Sequence, residues 1–434
     1  MKSSNEYKPG SLSLAATVAM GTGVMIGAGI FALTGQVAEY AGQMFPLAFL
    51  LAAVISGFSA YTYVMVTRKY PSAGGIAMIL QKAYGKTMMT GGCALLMAFS
   101  MIINESLVAR TFGTYTLQLF NAEDSAWLVP VLAVGLIVVA FLANLAGNRL
   151  IGTVSKVTAV IKVAGIIAFS IAALWAAGFS FAPSATGLID DTSATGFFAG
   201  VALAILAYKG FTTITNSGDE VVNPHRNVGR AIVISLAICV AVYLLVAFGV
   251  GSTLTVDEIV RAKDYSLAEA ARPAFGDFGV WFTVAIAIIA TSSGLLASVF
   301  AVSRMLAMLT KMDIIPHSHF GMPGGVQKHT LVYTVVLAAV LAAFFDLSRI
   351  ASLGAIFYLV MDIAVHWGVW QHLSGEVGAR PWILVTAIGL DVLALVAFIS
   401  IKAAADPAIV VIGTISIALI FVFEKYYLAN RRTQ

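Results

Sequence analysis

Twelve windows of roughly twenty apolar residues follow one another along this chain, and that is the length a helix needs to cross a bilayer. They fall at 11–34, 44–67, 88–120, 126–146, 150–177, 195–221, 229–251, 278–308, 330–346, 350–371, 381–402 and 407–428. Backbone polar groups find no water in lipid and must be satisfied within the helix. The chain is therefore expected to be all-α and integral to the membrane. Composition agrees: 11% of the 434 residues are charged and 60% hydrophobic, where a soluble domain carries about 25% charge. The third and eighth spans are long enough to require tilt. Lys2 and Lys8 ahead of the first span imitate a signal peptide, but no small-residue cleavage pattern follows.

Basic residues set the orientation. Seventeen lie on the side that would hold both termini and five, Arg261, Lys263, Arg272, Arg349 and Lys402, on the other. The positive-inside rule makes the termini cytoplasmic, in a cell membrane. Arg110, Lys162 and Lys209 remain, and all three fall inside spans. Intramembrane charge is costly and marks function.

Other functions find little support. Cys93 and Cys239 sit in apolar spans without CxxC or Cys/His spacing, so neither a disulfide nor zinc is expected. His317, His319 and His329 read as solvated histidines of the 309–329 loop, since no carboxylate or thiol cluster accompanies them. There is no P-loop and no nucleophile–base or metal motif, which argues against an enzyme, an ATP-driven pump and a cofactor. A channel filter and a basic nucleic-acid patch are also missing. The sequence does not indicate an oligomeric state.

Within the first span, Gly21-Thr22-Gly23-Val24-Met25-Ile26-Gly27-Ala28-Gly29-Ile30-Phe31 places four glycines in the middle of an apolar run. Each costs a helix interior about 1 kcal/mol relative to alanine. The run is either a GxxxG packing face or a helix broken at mid-depth, where freed backbone lines a binding cavity. In the sixth span, Lys209-Gly210 separates an apolar half from a polar one, Thr212 to Glu220. Two interrupted spans five apart favour inverted repeats, 11–177 and 195–371, with a shared site at the midplane. The segment 381–428 would add two peripheral helices, between a short N-terminus, 1–10, and C-terminus, 429–434.

Gly27-Ala28-Gly29-Ile30-Phe31 resembles the G-[SA]-[GS]-I-F signature of the amino acid–polyamine–organocation (APC) superfamily. Tyr208-Lys209-Gly210-Phe211, followed by Glu220-Val221-Val222-Asn223-Pro224-His225-Arg226-Asn227, resembles that superfamily's sixth-helix break and the turn after it. Ala109-Arg110-Thr111-Phe112-Gly113-Thr114-Tyr115 is similar to the third helix of proton-coupled ApcT-like permeases. The resemblance implies a leucine-transporter-type fold with ten core and two peripheral helices and broken first and sixth helices. It implies a secondary transporter moving an amino acid, with protons, by alternating access. An amino acid or polyamine exchanger, or a non-transporting nutrient sensor on the same fold, is the alternative.

The chemistry of broken helices fits a zwitterion. Amides of Gly27, Ala28, Gly29 and Ile30 at a half-helix N-terminus would cradle a carboxylate. Carbonyls of Val24 and of Ala204 to Tyr208, Ala207 among them, would hold an ammonium. Tyr208, Phe211 and Asn104 would then select the side chain, or simply pack. Lys162 is mid-span, with Ser155 and Thr158 on the same helical face. A lysine buried there can exchange a proton or serve as a permanent structural cation. In ApcT-like permeases a lysine at this place fills the cavity that holds sodium in relatives. Its neighbours would be first-helix carbonyls and the eighth-span hydroxyls, here Thr291, Ser292 and Ser293. Glu105 and Lys209 depart from the family pattern, and are expected to pair, either touching the substrate or locking two helices. Asp362 and His366, at i and i+4, form a proton relay or a structural pair. Arg110 is expected to snorkel or to meet an acid, and 257–264 to be a solvated helix on the outer face.

Overall fold

Serine, aspartate and proline stand where the apolar runs begin, and they start the helices. In the computed structural model Ser13 accepts the Ala16 amide, Ser193 that of Gly196 and Asp346 that of Arg349, each supplying an acceptor to an orphan first-turn donor. Pro46, Pro224 and Pro381 occupy first-turn positions, where the missing N–H is of no consequence. The structure describes residues 10–431 apart from 73, 121–124, 126, 147, 181–192 and 316–324. His317 and His319 lie outside the described residues.

The helices are α1 (Leu14–Ala41), α2 (Phe45–Lys69), α3 (Gly75–Tyr84), α4 (Met88–Gln118), α5 (Leu128–Ala146), α6 (Asn148–Ala176), α7 (Ala194–Tyr208), α8 (Thr212–Thr215), α9 (Pro224–Thr253), α10 (Val256–Arg261), α11 (Ser266–Lys311), α12 (Val326–Phe344), α13 (Leu347–Gly368), α14 (Ser374–Val377), α15 (Pro381–Ala405) and α16 (Pro407–Arg431). Eleven stretches are long and apolar enough to cross a membrane, one of them Gly29–Lys69. The 3-10 turn Gly42–Met44 divides that one into α1 and α2, which yields the twelve expected spans. The protein is an all-α membrane bundle. Within α11, Phe275 and Gly276 leave helical geometry. Gly276 takes φ 54° there, a conformation that suits glycine, and the eighth span starts beyond it.

The first span departs from expectation: α1 is continuous from Leu14 to Ala41. The sixth does break, but gently, as the 3-10 turn Lys209–Phe211 between α7 and α8, with Lys209 and Thr212 in the right-handed helical region. The energetics explain both. Four glycines cost a helix a few kcal/mol in all, whereas each backbone group freed in apolar surroundings costs several. α1 packs on α6, α7, α9 and α11 and so runs through the centre. In the sixth span 89% of the membrane window is buried, against 22% in α16, which places α16 at the periphery. The loop helix α10 forms as expected, with a capping box between Thr255 and Glu258. It is tied inward, since Lys263 meets Glu39 at 2.7 Å and Gln36 donates to Asp264 at 2.6 Å. His329 also differs from expectation. It lies in the first turn of α12 and is 1% exposed, not solvated.

Candidate functional site

Gly21, Gly23, Gly27 and Gly29 of α1 face different neighbours, and Gly21 and Gly29 stand where a side chain would clash. A Cβ on Gly29 would come within 2.9 Å of the Ala207 Cα, and one on Gly27 would stand 3.4 Å from the Gly294 Cα. Gly21 faces the Ile214 side chain, and Gly23 faces the Lys162 ammonium, 3.7 Å from its would-be Cβ. Close approach to α7 and α8 is thus what Gly29 and Gly21 provide in this conformation, while Gly23 and Gly27 meet α6 and α11 at ordinary contact distance. The expected cradle is not open. In a continuous helix the amides of Gly27, Ala28, Gly29 and Ile30 point back along the axis to carbonyls four residues earlier.

Two of those carbonyls have further partners. Lys162, 2% exposed, donates from Nζ to the Gly23 carbonyl at 2.5 Å. Tyr243 of α9 donates its hydroxyl to the Met25 carbonyl at 2.6 Å and lies 3.2 Å from that of Ala207. Lys162 therefore reaches a first-helix carbonyl, as the resemblance implied. The eighth-span hydroxyls turn elsewhere. Thr291 bonds the Ala287 carbonyl at 2.6 Å and Ser293 that of Ala290 at 3.2 Å, the back-bonding typical of hydroxyls inside a helix. Ser292 is half-buried beside them.

A narrow pocket lies between α1, α4, α7, the sixth-helix turn and α11. Val24, Gly29, Asn104, Ala207 and Lys209 line it, all expected site residues. So do Thr212, Thr213 and Ser298, which sequence reasoning did not single out. Their signal was present, because a hydroxyl facing the bundle interior of an apolar span is itself a candidate contact. Gly27, Ile30, Ala204, Glu105, Tyr208 and Phe211 do not line the pocket. Phe211 packs edge-on against Tyr63 with ring centres 5.5 Å apart, and Tyr208 tilts against Tyr243 at 4.9 Å.

Glu105 and Lys209 do not pair. Lys209 donates to both the carbonyl and the hydroxyl of Ser100, each at 3.0 Å, and stands 5.8 Å from the Tyr358 ring centre. Glu105 accepts from Ser298 at 3.2 Å, and its other oxygen has no partner among the described residues. Ser100 and Glu105 are five residues apart, well over a helical turn, so they present different faces. Lys209 approaches the first, and Glu105 turns to α11. Among the described residues Arg110 meets no acid at hydrogen-bond distance. It donates to the Ala342 carbonyl at 2.8 Å and so caps the end of α12.

Asp362 and His366 do lie together, fully buried, with Nε2 3.4 Å from Asp362 Oδ2. Asp391 of α15 is a third member that helical spacing could not reveal, 3.5 Å from the same nitrogen.

The family described as amino acid permease matches residues 12–424. The chain is 28% identical over 419 residues to an inner membrane transport protein of Escherichia coli, YbaT, with 96% of each chain covered. It is 30% identical to an uncharacterised protein of Methanocaldococcus jannaschii, MJ0609, over 88% of this chain and 86% of that one. A mitochondrial cationic amino acid transporter of Arabidopsis thaliana is 28% identical over 79% of this chain and 59% of its own length.

Proposed function

This chain belongs to the amino acid permease family, and we propose that it is a secondary transporter that moves an amino acid with protons by alternating access. The observation that carries the reading is the bond from Lys162 Nζ to the Gly23 carbonyl. It joins a buried amine to the backbone of the helix that lines the pocket through Val24 and Gly29. Protonated, the amine donates a charge-assisted bond and holds α1. Deprotonated, it loses the charge that strengthens that bond and so stabilises an opened α1 less. Among the described residues Lys162 forms no ion pair, so its charge is answered by backbone dipoles.

Opening α1 at its glycines would expose the amides of Gly27 to Ile30 to a substrate carboxylate. Breaking a helix at mid-depth normally strands carbonyls as well as amides. Here the Gly23 and Met25 carbonyls already have stand-in donors in Lys162 and Tyr243. That lowers the barrier at the turn where the cradle is wanted. In this reading Asn104, Lys209 and Ser298 meet the substrate side chain, and the repeats 11–177 and 195–371 move against each other. Proteoliposomes test the coupling. Lys162→Ala should lose uptake driven by a pH gradient, and undiminished gradient-driven uptake in that variant overturns it. Counterflow without a gradient, at wild-type rate and with no net uptake in the unsubstituted protein, would instead make it an exchanger.

A further inference from the structure

Away from the pocket, three ionisable side chains meet in the interior, Asp362 and His366 from α13 and Asp391 from α15. Their closest ligand atoms all lie within 4.8 Å of one another. All three are inaccessible to solvent. The arrangement does not close as a hydrogen-bond network. Among the described residues, both nitrogens of His366 and both oxygens of Asp391 lack a hydrogen-bond partner. The His366 Nε2 stands between two carboxylate oxygens, 3.4 Å from Asp362 Oδ2 and 3.5 Å from Asp391 Oδ2. Charge-assisted N–H···O bonds run at about 2.7–2.9 Å. Both separations are too long for that, and they are nearly equal.

As nitrogen–oxygen edges of a ligand set they match another geometry. Zinc–nitrogen and zinc–oxygen bonds of about 2.0–2.2 Å place tetrahedral ligand atoms about 3.3–3.6 Å apart. We propose that Asp362 Oδ2, His366 Nε2 and Asp391 Oδ2 form a binding site for a divalent transition metal of the zinc class. Two carboxylates and a neutral imidazole around a dication sum to zero charge, which suits a buried position. One imidazole and two carboxylates favour zinc-like ions over magnesium or calcium, which prefer six or more oxygen ligands.

Part of the supporting shell is already built. Asp362 accepts from Ser59 at 2.6 Å and from the Tyr63 hydroxyl, and such bonds orient a ligating carboxylate. Tyr63 also packs on Phe211, the last residue of the sixth-helix turn. The metal would therefore fasten α13 to α15, with α2 seated between the site and that turn.

The experiment uses tag-free, full-length protein in detergent, stripped with chelator and titrated with Zn²⁺ or Co²⁺. Expected are one metal per chain by elemental analysis, a tetrahedral Co²⁺ visible spectrum and a rise in melting temperature on loading. Tyr63→Phe should weaken binding about 10–100-fold while the spectrum persists at saturation. His366→Gln and Asp391→Asn should abolish the spectrum. The site is overturned if the unsubstituted protein, which needs no variant to fold, binds no metal at saturating concentration. Binding that survives both ligand substitutions overturns it too. So does a protonated-carboxyl infrared band in metal-treated protein that vanishes in Asp391→Asn, because the triad is then closed by a proton.

Discussion

Each glycine of α1 is in contact with something particular, so substitutions there have individual outcomes. A Cβ at Gly29 meets backbone, the Ala207 Cα at 2.9 Å, and backbone cannot swing aside as a side-chain tip can. Gly29→Ala is expected to force α1 from α7 and to destabilise by about 1–3 kcal/mol, the usual cost of overpacking. At Gly27 the nearest atom would be 3.4 Å away, an ordinary contact, and alanine returns about 1 kcal/mol of helix propensity. Gly27→Ala should therefore melt at or above the unsubstituted protein, and Gly29→Ala below it, in detergent thermal-shift assays. The reverse order would show that the contacts do not govern these positions. If Gly27→Ala folds well yet fails to bind substrate, opening of the helix at that amide gains support. The glycines and buried charges were legible in the sequence as anomalies, but their partners were not. Periodicity tells which face of a helix a residue occupies, not which helix lies opposite. Hence Lys209 found Ser100 instead of Glu105, and Arg110 found the Ala342 carbonyl instead of an acid.

At the scale of elements, the important unit is α1 held between α6 and α9 by two donors. Tyr243 reaches the Met25 carbonyl and lies within bonding distance of that of Ala207, spanning the first and sixth helices from a third. Its ring is packed edge-on against Phe49 at 6.0 Å and against Tyr208, so Tyr243→Phe removes the bond and keeps the packing. A net hydrogen bond contributes about 0.5–1.5 kcal/mol. If that donor stands in when α1 opens, its loss raises the opening barrier by a similar amount. Transport turnover in proteoliposomes should then fall by up to about tenfold, with melting temperature little changed. An unaltered rate would mean that Tyr243 only braces the closed helix. Spans and helix starts were readable because length, apolarity and capping residues act locally. The continuity of α1 was not readable, because it depends on neighbours that satisfy its carbonyls and admit its glycines.

The whole molecule has two chemically different ends. At one end the segment from α10 to the kink of α11 carries more acids than bases, Asp257, Glu258, Asp264, Glu269 and Asp277 against Arg261, Lys263 and Arg272, and the Asp277 side chain is 87% exposed. At the other the turn into α9 presents His225 and Arg226 to solvent. That turn is fixed to the bundle: Leu12 pairs with Val221, and Arg304 meets Glu220 at 3.2 Å. Positive charge held at one end is what orients a chain during insertion, and on that ground we propose that the Arg226 end faces the cytoplasm and the Asp277 end the outside. The two native cysteines suit a direct measurement, being free and 1% and 0% exposed. The unsubstituted protein should not react with a membrane-impermeant maleimide. In intact cells Asp277→Cys should label and Arg226→Cys should not. Inside-out vesicles should exchange those results, and labelling of Arg226→Cys from the outside of intact cells would invert the assigned topology.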